Sequence, residues 1–424
     1  MIQFLNIAGL GPIFGAILGA KFGSASFLWI VFGCIFVGSV HDYLAGMLSL
    51  RHNGASLPEI IGMYLGHSVK QLMRGFIVIL MILVGAVFVA GPAGLLAKLT
   101  PEALTTTWWI VIVFLYYVLA TLLPIDKIIG RIYPLFAVSL LFMAVALLVM
   151  LYVIHPALPE LWEGIHNTHP QADVLPVFPI MFVSIACGAI SGFHATQSPL
   201  MARCMTSEYH GRPIFYGAMI TEGIVALIWA AVATYFFHEN GMGESNAAII
   251  VDSITKEWLG TVGSVLAILG VIAAPITSGD TAFRSARLIV ADFMHYKQDK
   301  IFNRLVICIP MFLVAIGLLL YSLRDSDGFN LIWRYFAWAN QTLSVFTLWA
   351  ITVYLAQQKK NFYVGLFPAI FMTAVCTTYI CVAPEGLGCS RMLSYGVGGF
   401  FSLLTFVLFM IWWKRNKNQF VPEQ

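Results

Sequence analysis

Charge is what this sequence has least of. Only 10% of its 424 residues are Asp, Glu, Lys or Arg, where an ordinary soluble domain carries roughly 25%. A soluble protein needs a charged shell over most of its surface, and 23 basic with 20 acidic residues do not supply one for a chain of this length. The shortage excludes a soluble globular enzyme and a disordered chain. A net charge of +3 is too small to imply a polyanionic partner, which excludes a nucleic-acid binder. Cysteine is sparse and scattered. Cys34, Cys187, Cys204, Cys308, Cys376, Cys381 and Cys389 form no CxxC pair and no His/Cys cluster with zinc spacing. Most of them read as small apolar residues inside helices. Cys381 and Cys389 flank one short loop, and the sequence leaves open whether they pair if that loop faces an oxidising side. No cleavable signal peptide opens the chain, so the apolar stretch from Ile2 belongs to the body.

Apolar residues make up 60% of the sequence. A membrane span needs roughly 20 mostly apolar residues. Twelve stretches qualify, at about 2–21, 24–50, 71–98, 107–124, 135–154, 177–200, 213–237, 260–282, 303–322, 334–356, 362–383 and 392–413. The expected fold class is therefore all-α: a polytopic membrane protein with about twelve transmembrane helices in a single transmembrane domain spanning 1–424. Two longer connections, about 155–176 and 238–259, carry most of the loop polarity. In the second, apolar residues from Ala247 to Leu259 recur at near-helical spacing and predict a helix lying along the membrane surface.

The basic residues test the orientation. With a cytoplasmic N-terminus and strict alternation, the outer side holds Lys21, Lys98, Lys256, Arg324, Arg334 and Arg391. The other 17 of the 23, Lys127 and Arg131 among them, fall inside. One span more or fewer in the middle scrambles that split. The count thus supports cytoplasmic termini and an even number of spans.

Two spans are interrupted. The first has Gly9, Gly11 and Pro12 at its middle, and the sixth has Gly188, Ser191, Gly192, Phe193 and His194. Proline removes a backbone donor and glycine removes the steric bias toward helix. Backbone freed at membrane depth must line a cavity or be buried in protein, because lipid cannot hydrogen-bond it. Interrupted helices at corresponding places in two halves point to a carrier's binding site. Five spans plus five, with two more, is the LeuT-like arrangement: inverted repeats about 1–154 and 177–356, then extra helices about 362–413. In that reading the eight residues just named bind substrate, and a negative group on the cargo sits against unpaired N–H groups of the half-helices.

A charge at the bilayer centre costs about 2.5–3.5 kcal/mol on insertion scales. The few acids at depth therefore need a purpose. Asp42, Glu222 and Asp280 are the candidates for ion coupling, although Asp280 also has Arg284 at i+4 for a plain ion pair. Thr277 and Ser278 are candidates for a Na⁺ cage with carbonyls from Ala8 to Gly11, against the plainer reading that such hydroxyls bond back to their own helix. His194 suits proton relay or carboxylate binding, and equally a satisfied core histidine. Asn340, Gln341 and Thr342 read as interhelical hydrogen-bonding groups.

Four stretches, IAGLGPIFGAILGA at 7–20, HDYLAGMLSLRHNGASLPEII at 41–61, CGAISGFHA at 187–195 and DTAFRSARLIVADF at 280–293, with NQTLS at 340–344, resemble the carbon starvation protein family (CstA). The resemblance implies a carrier of the APC superfamily that imports pyruvate or peptides, usually with a proton. It also implies more chain ahead of the IAGLGP stretch than the six residues that precede Ile7 here. The expected function is a secondary active importer of a small carboxylate or short peptides in the cytoplasmic membrane of a bacterium, coupled to H⁺ or Na⁺. No organic cofactor is expected. Its partners are the small-molecule substrate and the lipid bilayer, not nucleic acid. A channel or ligand-sensing membrane protein for the same substrate is the alternative. An intramembrane enzyme is disfavoured, because HExxH and GxSxG are missing and only His41 and His194 lie in span cores.

Overall fold

A computed structural model of the chain describes residues 2–122, 126–243, 246–324 and 328–420, with the side chains of 126–134 also outside the description. The last residues of the fourth expected span (123–124) and the side chains of Lys127 and Arg131 thus lie outside the described residues. The helices are α1 (Ile2–Ile7), α2 (Gly11–Ala20), α3 (Ala25–Arg51), α4 (Leu57–Leu65), α5 (His67–Leu99), α6 (Thr106–Leu122), α7 (Asp126–Ile154), α8 (177–184), α9 (Gly192–Ala202), α10 (Glu208–Asn240), α11 (Ala247–Phe293), α12 (Ile301–Arg324), α13 (Gly328–Gln357), α14 (Tyr363–Val382) and α15 (Arg391–Asn416).

Eight helices among the described residues are long and apolar enough to cross a membrane: α3, the part of α7 from Leu135, α5, α10, α11, α12, α14 and α15. The protein is an all-α polytopic membrane protein. The other four expected spans fall on the broken pairs α1/α2 and α8/α9, on the 17-residue α6, and on α13, which is 30 residues long but polar at its middle. The break in the first span covers Ala8 to Leu10, and Pro12 sits in the first turn of α2, where a missing N–H costs least. The surface helix expected at Ala247–Leu259 is the first arm of α11. It ends at Gly260, whose φ of +65° only glycine adopts freely. Its inner face carries Ile250, Val251, Ile254 and Trp258, while Lys256 and Glu257 face outward.

Burial separates core from lipid-facing surface. α13 is the central helix: Asn340, Gln341 and Ser344 are fully buried and Phe336, Leu343 and Leu348 pack around them. α12 and α15 lie outside, with Phe302, Val306, Leu313 and Leu320 on one and Phe400, Leu403 and Leu408 on the other exposed. Such apolar exposure suits hydrocarbon and not water. α11 runs along α5 and α7, and α14 packs on α13 and α15.

Charged side chains gather at two ends. At one, Arg51 pairs with Glu208 (3.1 Å), Arg74 bridges Glu59 and Asp292 (both 2.9 Å), and Arg203 donates to the Gly54 carbonyl (2.9 Å). At the same end Arg284, Arg287 and Arg304 donate to the Ala120, Thr121 and Leu122 carbonyls at 3.3, 2.7 and 2.9 Å. These are the final carbonyls of α6, which lack intrahelical partners and favour cations. At the other end Lys21 donates to the Met242 carbonyl (3.1 Å), Arg334 pairs with Glu385 (3.3 Å), and Arg391 donates to the Ala172 carbonyl (2.9 Å). Cys381 and Cys389, whose pairing the sequence left open, are both free thiols. The short loop is closed by backbone instead, with the Cys389 N–H on the Cys381 carbonyl at 2.7 Å.

Candidate functional site

The two interrupted segments meet. A Cβ at Gly11 would overlap the Cys187 side chain, and a Cβ at Gly15 would lie 3.0 Å from the Ser184 carbonyl. The start of α2 is therefore pressed on the break between α8 and α9, and only a residue without a side chain fits at Gly11.

Beside this crossing lies a closed polar cluster. Asp42, in the second half of α3, accepts from His41 Nδ1 (2.8 Å) on one oxygen and from His194 Nδ1 (2.7 Å) on the other. His194 is in the first turn of α9, and its Nε2 lies 3.4 Å from Glu222 Oε2 on α10. All four side chains are fully buried. A carboxylate only accepts, so both Nδ1 atoms facing Asp42 carry hydrogen. Neither oxygen of Glu222 has a hydrogen-bond donor, and the Nε2 atoms of His194 and His41 have no hydrogen-bond partner. An unsatisfied buried group of this kind costs about 1–3 kcal/mol. Such a cost is kept where the group has work to do.

Asn340 of α13 closes the break. Its Oδ1 accepts from the Phe193 N–H (2.7 Å) and the Ser191 hydroxyl (3.1 Å). In this closed state the Phe193 N–H at the α9 terminus is therefore occupied by Asn340. Gly192 lets α13 come this close. A Cβ there would run into the backbone of Asn340 and Ser344, atoms that cannot swing aside. Gly192→Ala is expected to destabilise the fold by about 1–3 kcal/mol, the usual range for overpacking. An unchanged thermal midpoint in detergent would reject this packing.

The remaining candidates are placed as follows. Gly9 faces the ring of Phe88, which itself stands edge-on to Phe193 at 6.2 Å. Pro12 and Gly188 lie side by side, with the Pro12 Cα 3.9 Å from a Cβ built on Gly188. Ser278 donates toward the carbonyls of Leu5 and Asn6, each at 3.3 Å, and so reaches the end of α1 and not Ala8 to Gly11. Thr277 turns its hydroxyl to its own helix, on the Ala274 carbonyl at 2.8 Å, so the expected two-hydroxyl cage is not assembled in this state. Asp280 pairs with Arg284 (3.3 Å) against the end of α6, apart from the Asp42 cluster. Its partner at i+4 wins because it lies one turn along the same helix. Asn340 makes the interhelical hydrogen bonds expected of it, while two participants were not singled out from sequence: His41 and Cys187. His41 adjoins Asp42 and Cys187 adjoins Gly188, so proximity to flagged residues was the available signal.

A vestibule approaches the cluster from each end. One, of about 420 Å³, is lined by Thr196, Pro199 and Arg203 with Asn53, Arg74 and Asp292. The other, of about 380 Å³, is lined by Leu18, Lys21 and Val183 with His169, Trp333 and Arg334. Burial and the nearby Lys21 push His169 down to about 4, so it stands neutral there. Along the interrupted segment one vestibule touches 180–184 and the other touches 196–203, while Cys187 and His194 lie between and reach neither. The site is closed to both sides.

The chain matches the model of the carbon starvation protein CstA family over residues 2–107, 95–257 and 240–379. It is 45% identical over 285 residues to an uncharacterized membrane protein of Haemophilus influenzae, covering 56% of this chain and 77% of that one. Identity is 28% over 316 residues to the peptide transporter CstA of Campylobacter jejuni (59% of this chain, 45% of that one) and 27% over 296 residues to the pyruvate/proton symporter BtsT of Escherichia coli (55% and 41%). The match thus spans less than half the length of these two named relatives. Among solved structures, a mutant of the manganese transporter of Eremococcus coleocola superposes over 98% of this chain and 96% of its own, with a TM-score of 0.59 at 14% identity. That likeness is one of fold.

Proposed function

The chain belongs to the carbon starvation protein CstA family, and from that premise we propose that it imports a small carboxylate such as pyruvate, or short peptides, by alternating access coupled to H⁺ or Na⁺. It is a multi-pass membrane transport protein and not an enzyme. The observation that carries the mechanism is the closed cluster of Asp42, Glu222, His41 and His194 where two interrupted helices cross, with a vestibule on either side. A carrier must close its site to both sides between openings, and a site that held an open path would leak the gradient.

The architecture we propose is LeuT-like, with repeats about 1–154 and 177–356 and the added helices about 362–413. Its support is the interruption of the first and sixth expected spans and their meeting at Gly11 and Cys187. Cytoplasmic termini are favoured by the positive-inside rule. The end holding Arg51, Arg74, Arg203, Arg284 and Arg287 is the more basic one. Cargo binds at the crossing, next to Gly9, Gly11, Pro12, Gly188, Ser191, Gly192, Phe193 and His194. Its negative group replaces Asn340 Oδ1 on the Phe193 N–H and the Ser191 hydroxyl. The coupling cation sits at Asp42 and Glu222. Thr277 and Ser278 are the weaker place for it, because Thr277 is committed to the Ala274 carbonyl.

Reconstituted into proteoliposomes, the protein is expected to concentrate labelled pyruvate or a dipeptide, saturably, under an inward H⁺ or Na⁺ gradient and not without one. No concentrative uptake of either cargo under either gradient would overturn the proposal. Non-saturating flux that only dissipates the gradient would point to a channel.

A further inference from the structure

We propose that Cys187, His194 and Glu222 form a binding site for one thiophilic divalent cation of the zinc class. Cys187 Sγ, His194 Nε2 and a Glu222 oxygen all lie within 4.8 Å of one another, and all three residues are buried. Ligands about 2.0–2.3 Å from a tetrahedral zinc ion stand roughly 3.3–3.8 Å apart. The 3.4 Å between His194 Nε2 and Glu222 Oε2 already has that span.

Three further observations point the same way. First, the facing atoms are acceptors without donors: both Glu222 oxygens and His194 Nε2 make no hydrogen bond at full burial. Two acceptors aimed at one another across 3.4 Å call for a positive charge between them, a shared proton or a metal cation. Second, the outer partners are those that orient metal ligands. Asp42 holds His194 Nδ1 at 2.7 Å and is itself held by His41 at 2.8 Å, and Asn340 Nδ2 reaches Cys187 Sγ at 3.5 Å. Third, Cys187 sits at φ +59°, a backbone region uncommon for a residue with a side chain. That conformation turns its side chain into the crossing, against Gly11.

The donor set selects the ion. One sulfur, one imidazole nitrogen and one carboxylate oxygen suit a zinc-class cation and are too soft for Na⁺ or Mg²⁺. No fourth protein ligand is assembled among the described residues, so one coordination position stays open to water. Cys187 binds as the thiolate, its proton leaving by the vestibule that opens to admit the ion. A linear search for CxxC or HExxH spacing misses the site, because its ligands come from a helix break, a half-helix and a separate long helix.

The test uses the full chain purified in detergent, with Zn²⁺ as the probe and neither cargo nor gradient present. Zinc retained after desalting, counted by atomic spectrometry, is expected to be one equivalent per chain higher in wild type than in Cys187→Ala. With Cd²⁺, the thiolate-to-metal absorption band is expected to weaken in Cys187→Ala although Cys204 and Cys389 remain. Should that variant fail to fold, Glu222→Gln decides: its zinc affinity is expected to fall by about 10-fold or more. Equal stoichiometry in wild type and Cys187→Ala, or unchanged affinity in Glu222→Gln, overturns the site. Because binding is read without transport, absence of zinc leaves the importer standing, and absence of uptake leaves the zinc site standing.

Discussion

Glu222→Gln is expected to abolish gradient-driven accumulation while sparing exchange of cargo across the membrane. The two side chains have the same shape, so α10 and the packing around it keep their geometry. What changes is charge. Glu222 lies on a membrane-spanning helix, fully buried, with no hydrogen-bond donor on either oxygen and His194 Nε2 3.4 Å away. An amide there donates to Nε2 and settles the site without any cation. The free energy that links cation to cargo then disappears. Coupling of about 1–3 kcal/mol corresponds to roughly 5–150-fold in accumulation. Counterflow with cargo on both sides asks only for binding and rocking, and is expected to stay within a few-fold of wild type. Stability is expected to hold or rise, since an unsatisfied carboxyl is replaced by a group that satisfies its neighbour. Full concentrative uptake by this variant would remove Glu222 from the coupling site. Loss of counterflow as well would make it a residue of cargo binding.

The helices were legible because hydrophobic runs and glycine or proline interruptions are local properties of a chain. Eight of the expected stretches fall on long apolar helices among the described residues, and the chain leaves helix at Gly9 and around Gly188, beside the flagged Pro12 and Gly192. Asp42, His194 and Glu222 were legible as costly groups at depth. Their meeting was not. Asp42 and His194 are 152 residues apart, and Ser191 and Asn340 are 149 apart. Whether such groups touch depends on the rotation of one helix against another, which a single periodic pattern does not encode. Asp280 shows the converse. In sequence it is as conspicuous as Asp42, yet Arg284 one turn away takes it, and Arg284 with Arg287 and Arg304 also donates to the last carbonyls of α6. Cys187 was read as a small apolar residue. Its thiol reaches the crossing because the backbone there leaves helix, a conformation that composition does not reveal.

The largest loss of stability is expected from Asp42→Asn. Asp42 is the acceptor for two imidazole donors, His41 at 2.8 Å and His194 at 2.7 Å, and no water-exposed route exists for either ring at full burial. Asparagine offers one acceptor oxygen and one NH₂ group. Whichever way the amide is turned, a donor faces a donor at one of the two histidines. That ring must then change tautomer or tilt away. If His194 changes, its Nε2 gains hydrogen and turns toward Glu222. The rearrangement therefore passes from α3 through α9 to α10. Removing one partner of a buried charged pair costs about 3–5 kcal/mol, and two donors share this one. The expected result is a clear fall in the thermal midpoint in detergent together with loss of both accumulation and counterflow. This contrasts with Glu222→Gln, where counterflow survives. A cycle with His194→Ala separates the causes. If Asp42 acts by holding His194, removal of the ring relieves much of the damage, and the double variant is less destabilised than the two single losses added together. Strict additivity, or a midpoint that Asp42→Asn leaves unmoved, would show that the hydrogen bonds between α3 and α9 do not hold the closed cluster together.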